Sequence, residues 1–85
     1  MEIVLTSEAE KGLKFWKETN NEKVLKRIRE LLGSIIETPA QGIGKPEALK
    51  YDFTGLWSRR INQQHRLIYE FDTERVIIHS IKGHY

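Results

Sequence analysis

The 85-residue chain contains no cysteine, which excludes a disulfide framework, a thiolate nucleophile and any cysteine-based zinc site, and suits a reducing cytoplasm. No apolar run approaches the ~20 residues needed to span a bilayer, and the opening MEIVLTSEAEK lacks the basic and long apolar segments of a signal peptide. A cytoplasmic protein with no membrane association is expected. The three histidines, His65, His79 and His84, are dispersed without a metal-ligand spacing, so no metal and no cofactor is expected. No repeat or linker divides the sequence, and a chain of this length buries only about 60–65% of its unfolded surface. One domain, residues 1–85, with one small core follows.

What the chain does have is unevenly placed charge. The formal net charge is only +2. Residues 1–44 carry seven Lys/Arg against seven Asp/Glu, whereas residues 45–66, KPEALKYDFTGLWSRRINQQHR, carry five against two. This stretch either attracts anions or is a solvated basic surface, and charge alone does not decide between them.

Periodicity orders the elements. MEIVLT alternates as a strand, and Ser7 with Glu10 has the spacing of a capping box that opens a helix. Ala9, Leu13 and Trp16 form its apolar stripe until ETNN interrupts, offering Asn20 or Asn21 as the next N-cap. In EKVLKRIRELLGSIIETP the apolar residues Val24, Leu25, Ile28, Leu31, Leu32, Ile35 and Ile36 recur at helical spacing, and Thr38-Pro39 ends the run. Lys26, Arg27, Arg29 and Glu30 read as the wet face of that helix. After the loop PAQGIGKPE the pattern turns to β, with strands expected over ALKYDF, LWSRRIN, HRLIYEF and RVIIHSI joined by short hairpins. The fold class is α+β in the order β-αα-ββββ: an antiparallel twisted sheet with a two-helix hairpin on one face, the first strand pairing within the later meander.

Register then decides which side chains meet. With Gln63-Gln64 as a two-residue turn, Arg59 pairs with Ile68 and Ile61 with Arg66, so Arg59 and Arg66 share a face. Leu56, Leu67, Tyr69, Phe71, Val76 and Ile78 form the opposite, core face. The two guanidiniums either grip phosphates bidentately or pair with Glu70 or Asp72. Trp16 and Trp57 read as core or interface aromatics, and His65 and His79 as structural.

The stretches FWKETN, TPAQGIGKPE and GLWSRRINQQHRLIY, with the final HY, occur in an order and spacing that resembles the YoeB-type toxins of bacterial toxin-antitoxin modules, in the RelE superfamily. The likeness covers nearly the whole chain. It implies a RelE-like fold and a ribosome-dependent mRNA endoribonuclease that inhibits translation. It also implies an acidic, partly disordered, YefM-like antitoxin that wraps the toxin, and promoter DNA bound through the toxin–antitoxin complex. Monomer and homodimer both stay open. The catalytic residues of the family map onto Glu47, Arg66, His84 and Tyr85. Where relatives carry a basic-aromatic pair before the last two residues, this chain has Lys82-Gly83, which removes one stacking aromatic.

Chemistry agrees with that set. Metal-independent RNA cleavage needs a base for the 2′-hydroxyl proton, an acid for the departing 5′-oxygen and fixed positive charge at the phosphorane. Glu47 is assigned as base, His84 as acid and Arg66 as clamp, giving a 2′,3′-cyclic phosphate and a 5′-hydroxyl. Lys45, Lys50, Arg59, Arg60 and Lys82 are the expected RNA-binding residues, and Tyr85 bonds the phosphate or stacks on a base. One conflict remains. With Phe71 opposite Val76, Arg66 faces Ile81 and strict alternation sends His84 to the other side of the sheet, so Gly83 is expected to host a bulge or a fold-back. The competing readings are a catalytically weak partner module for antitoxin or DNA, and a ribonuclease that needs no ribosome.

Overall fold

The computed structural model describes residues 1–83; His84 and Tyr85 lie outside the described residues. Strand β1 (Glu2–Leu5) runs into Thr6, whose side-chain oxygen accepts the Ala9 N–H and caps helix α1 (Ser7–Glu18). The cap is therefore one residue earlier than the Ser7–Glu10 spacing suggested, because Thr6 keeps extended backbone while Ser7 is already helical. Asn21 caps α2 (Glu22–Glu37) by accepting the Val24 N–H, and α2 stops before Thr38-Pro39 as expected. The β half consists of β2 (Glu47–Ala48), β3 (Trp57–Arg60), β4 (Arg66–Phe71) and β5 (Arg75–Ser80).

Pairing gives one five-stranded sheet in the order β1-β5-β4-β3-β2. The α+β class and element order stand, but the sheet is mixed. β2, β3, β4 and β5 form an antiparallel meander, whereas β1 pairs parallel to β5, Glu2 with Arg75 through Leu5 with Ile78. A parallel neighbour requires a long crossover, and everything from α1 to β4 supplies it.

The strand expected over ALKYDF shrinks to Glu47–Ala48. Beyond it Tyr51 has φ 60° and its carbonyl accepts both the N–H and the hydroxyl of Thr54, which closes a 3-10 turn over Tyr51–Phe53 instead of extending an edge strand.

Both helices pack their apolar stripes on one face of the sheet. Ala9 and Trp16 from α1 and Val24, Ile28, Leu31 and Ile35 from α2 meet Leu67, Tyr69, Val76, Ile78 and Ile81 in one buried cluster. Burying each Leu or Ile side chain contributes roughly 1.5–3 kcal/mol, so this face, and not the short edge strand β2, holds the domain together.

Candidate active site

The register of β3 against β4 places the site. The observed partners are Trp57–Tyr69, Ser58–Ile68, Arg59–Leu67 and Arg60–Arg66, one residue away from the expected pairing. The turn is the cause. It is not a two-residue Gln63-Gln64 hairpin but a five-residue loop, Ile61 to His65, in which the Asn62 side-chain oxygen accepts the N–H groups of Gln64 and His65 at 2.9 and 2.8 Å. The slip moves every β3 side chain to the other face. Leu56, expected with the core, is displaced in the same way: the Leu49 N–H bonds to its carbonyl in continuation of the β2–β3 ladder, two residues from Ser58 and on the same face.

Arg59 consequently enters the core side and is fully buried. It does not stand beside Arg66, and it cannot hold a phosphate. Its Nε donates to the Tyr69 hydroxyl at 3.0 Å, its Nη1 to Ser34 Oγ and the Ile43 carbonyl, and its Nη2 to the carbonyls of Thr38, Pro39 and Gln41. A guanidinium with this many acceptors needs no carboxylate. The Tyr69 hydroxyl passes the chain on, donating to the Pro39 carbonyl at 2.6 Å. Burial pushes the Tyr69 pKa up, and the neighbouring Arg59 works against that rise. The loop between α2 and β2 is thus strapped to β3 from inside. Gly44 completes the strap: the Arg60 N–H donates to its carbonyl at 2.7 Å, and a Cβ there would meet Leu31 at 2.6 Å.

On the face away from the helices, the chain assembles a different set. β2 pairs with β3 so that Glu47 lies opposite Ser58, and Ser58 lies opposite Ile68, which lies opposite Ser80 of β5. One row therefore crosses the sheet from Glu47 to Ser80, and the adjacent row holds Arg60 and Arg66. Ser58 and Ile68 are closed off at its centre, and the Ser58 hydroxyl is buried with no hydrogen-bond partner. Glu47 and Arg60 are exposed and Arg66 is half-buried. Two cross-strand arginines with no carboxylate within ion-pair distance, among the described residues, leave their charge available to an anion. The carboxylates that sequence reasoning offered them are engaged elsewhere: Glu70 bonds His79 Nε2 at 2.8 Å, and Asp72 accepts the N–H groups of Glu74 and Arg75 in the β4–β5 turn. Those two backbone hydrogen bonds hold the Asp72 carboxyl below its ordinary pKa.

The remaining expected RNA-binding lysines are not gathered on this face. Lys45 and Lys50 are exposed in the segments flanking β2. Lys82 is drawn against α1, with Nζ 4.0 Å from the Phe15 ring centroid. It lines a groove of about 430 Å³ with Glu8, Lys11, Phe15, His65 and Ser80. Among the described residues no three His, Asp or Glu side chains converge as metal ligands.

The strict alternation expected of β5 is broken upstream of Gly83, and the face taken by His84 lies outside the described residues. Tyr69 pairs with Ile78 but Ile68 pairs with Ser80, so β5 carries one extra residue at His79. This bulge exchanges the faces of the two residues after it: Ser80 joins the Glu47 row, and Ile81 turns into the core, where Trp16 Nε1 donates to its carbonyl at 2.9 Å. Gly83 has φ 93° and is held at both polar groups, its N–H by His65 Nδ1 at 2.9 Å and its carbonyl by the Arg66 N–H at 2.8 Å. His65, expected to be structural, accepts the Gly83 N–H and so anchors the backbone at that residue.

The fold and this basic, two-row face describe a small RelE-type toxin domain, and comparison with known proteins agrees. The profile of the YoeB-like toxin of bacterial type II toxin-antitoxin systems matches residues 5–85. Toxin YoeB of Synechocystis is 47% identical over 70 residues, covering 82% of this chain and 81% of that one. The YoeB dimer from Staphylococcus aureus superposes with a TM-score of 0.91 at 44% identity, covering 100% of this chain and 98% of that one. The heterotetrameric YoeB-YefM toxin-antitoxin complex of the same species matches with a TM-score of 0.90 at 44% identity and the same coverage. The chain belongs to the YoeB-like family and is the toxin component of a type II toxin-antitoxin system.

Proposed function

We propose that the protein is a ribosome-dependent mRNA endoribonuclease that cleaves by metal-independent acid–base chemistry. The observation that carries this reading is the pair of rows on the open sheet face: a carboxylate, Glu47, in one row, and in the next row two arginines, Arg60 and Arg66, that have no carboxylate partner among the described residues. Glu47 takes the proton from the 2′-hydroxyl, and the 2′-oxygen attacks the adjacent phosphorus. Arg66 stabilises the charge that builds on the phosphorane oxygens. The 5′-oxygen leaves with a proton from His84, and the products are a 2′,3′-cyclic phosphate and a 5′-hydroxyl. Tyr85 contacts the phosphate or stacks on a base. Arg60 takes the phosphate-holding role first given to Arg59, with Lys45 and Lys50 on the flanking backbone and Lys82 beside the tail.

The same face is the natural target of inhibition. An acidic antitoxin segment lying over Arg60 and Arg66 neutralises the charge that RNA needs. The Staphylococcus aureus relative is seen both as a dimer and with its antitoxin YefM, which supports a YefM-like partner and a homodimeric state for this chain. Promoter DNA is then reached through the toxin–antitoxin complex.

The test is to map cut sites on an mRNA under translation and on the same RNA free, using wild type, Glu47→Gln and Arg66→Ala. Cleavage confined to translated mRNA and lost in both variants is expected. Equal cutting of naked RNA would make the protein a ribosome-independent ribonuclease, and no cutting of either would leave a partner-binding module.

A further inference from the structure

Tyr51 is the large side chain that the fold uses least. It is 90% exposed, and among the described residues its ring meets no other ring and its hydroxyl bonds nothing. It also sits at φ 60°, a left-handed conformation that is an outlier for a bulky aromatic and costs of order 1 kcal/mol. Such strain persists only where the surroundings over-determine it. Here they do. The Leu49 N–H bonds to the Leu56 carbonyl, the Phe53 N–H to the Lys50 carbonyl, and Thr54 N–H and Oγ1 both to the Tyr51 carbonyl at 3.1 and 2.7 Å. The connection between β2 and β3 is a closed, cross-braced loop with an aromatic ring held out at its tip.

Its location gives the ring a use. Tyr51 is four residues beyond Glu47 along the chain, so the two Cα atoms are within about 14 Å of each other. Lys50 precedes it, and Arg60 and Arg66 occupy the row beyond Glu47. The anions nearest it in sequence are Asp52, next in the loop, and Glu47 itself, while Glu70, beyond Leu56 in the β3–β4 register, is bonded to His79. A ligand matching this surface offers phosphates to the cations and a flat π-face to the ring, which is single-stranded nucleic acid. We propose that Tyr51 is a base-stacking platform that receives a nucleobase of the substrate strand within a few nucleotides of the scissile phosphate. The proposal rests on the ribonuclease reading for the path of the strand. Stacking is tolerant of base identity, so the platform fixes the strand's position more than its sequence, and a braced loop does so at little entropic cost.

The experiment uses stalled ribosome complexes whose mRNA carries 2-aminopurine or an abasic nucleotide at successive positions around the cut. Tyr51→Ala should raise the toxin concentration for half-maximal single-turnover cleavage about tenfold, with the plateau rate nearly unchanged. Tyr51→Phe and Tyr51→Trp should retain wild-type behaviour. An abasic nucleotide at the contacted position should reduce wild type to the Tyr51→Ala level and leave Tyr51→Ala unaffected, a non-additivity that a merely structural tyrosine would not produce. Binding of the Glu47→Gln protein should quench 2-aminopurine at that position, and adding Tyr51→Ala should abolish the quench. This readout needs no cleavage, so it survives failure of the assigned chemistry: wild-type cutting by Glu47→Gln would reject the general base and not the platform. Wild-type half-saturation by Tyr51→Ala, losses that add with the abasic site at every position, or a loss confined to antitoxin binding would each overturn the proposal.

Discussion

Arg59 and Arg60 are chemically identical neighbours on one strand, and their replacement should damage different properties. Arg59→Met keeps the bulk of the stem but removes every donor to Tyr69, Ser34 and the carbonyls of Thr38, Pro39, Gln41 and Ile43. Hydrogen bonds from a charged donor contribute about 1.5–3 kcal/mol each, and a buried acceptor left unpaired costs about 1–3 kcal/mol. Several of these carbonyls belong to an exposed loop and rehydrate once it loosens, and removing the cation also relieves its desolvation. Those offsets leave a net loss of about 3–4 kcal/mol.

Against a total stability of roughly 4–13 kcal/mol for a chain of this length, that is a large share. At about 4–8 °C per kcal/mol for a domain of this size, the unfolding midpoint should fall by at least ~12 °C. Arg60→Met, on the exposed face, should shift it by no more than about 0.5 kcal/mol while weakening cleavage of translated mRNA. Thermal and urea unfolding beside single-turnover cleavage measure both. An Arg59→Met protein as stable as wild type but inactive would mean that Arg59 grips RNA and that the β3–β4 register is not the one observed.

Four further outcomes follow from the same geometry. Arg60→Glu and Arg66→Glu should weaken the antitoxin complex and flatten its salt dependence, whereas unchanged affinity by titration calorimetry would place the inhibitor on another surface. His84→Gln should lower single-turnover cleavage by ~10²-fold or more with folding intact, and Gly83→Val should do similar damage because a β-branched residue resists φ 93°; wild-type rates for both would make the terminus dispensable. Tyr51→Asn should stabilise the fold by about 0.5–1 kcal/mol, since Asn tolerates the left-handed region, and a lowered midpoint would show that the ring has a partner within the fold. The Asp72 pKa is depressed in the folded chain, so its contribution is present above the unfolded value of 3.8 and is lost as pH falls through the lower folded value; Asp72→Asn should flatten that acid limb of the stability curve, and an unchanged limb would assign it to other carboxylates.

Much of this was readable from local pattern. Helix α2 declared itself through seven apolar residues at helical spacing and an Asn cap, and the β4 and β5 cores through alternation. Glu47 and Arg66 were candidates through a resemblance that spans the chain, and the structure places the two residues on one face. The face of Arg59 is not legible in the sequence because register depends on the turn, and Asn62 starts a longer turn than Gln63-Gln64 alone would make. A signal was nevertheless present. Two consecutive arginines on a strand must point to opposite faces, so one of them had to be internal, and the polar loop TPAQGIG had to find donors for its carbonyls.

The tail shows why parity arguments fail in small sheets. Counting outward from the Phe71–Val76 pair sends Arg66 opposite Ile81, and Ile81 is an apolar residue that would then share the open face with Arg66. One extra residue at His79 removes the conflict by returning Ile81 to the core beneath Trp16 and setting Ser80 beside Ile68. The bulge has its own local cause. The carbonyl of His79 accepts the Thr6 hydroxyl at 3.1 Å and its ring bonds Glu70, so the extra residue is tied down on both sides instead of slipping along the ladder. With the register reset there, Gly83 has a smaller task than bridging two faces. It only has to bend the chain at φ 93° between the Nδ1 of His65 and the N–H of Arg66. Gly83 is thereby tied through its carbonyl to the backbone of the strand that carries Arg66.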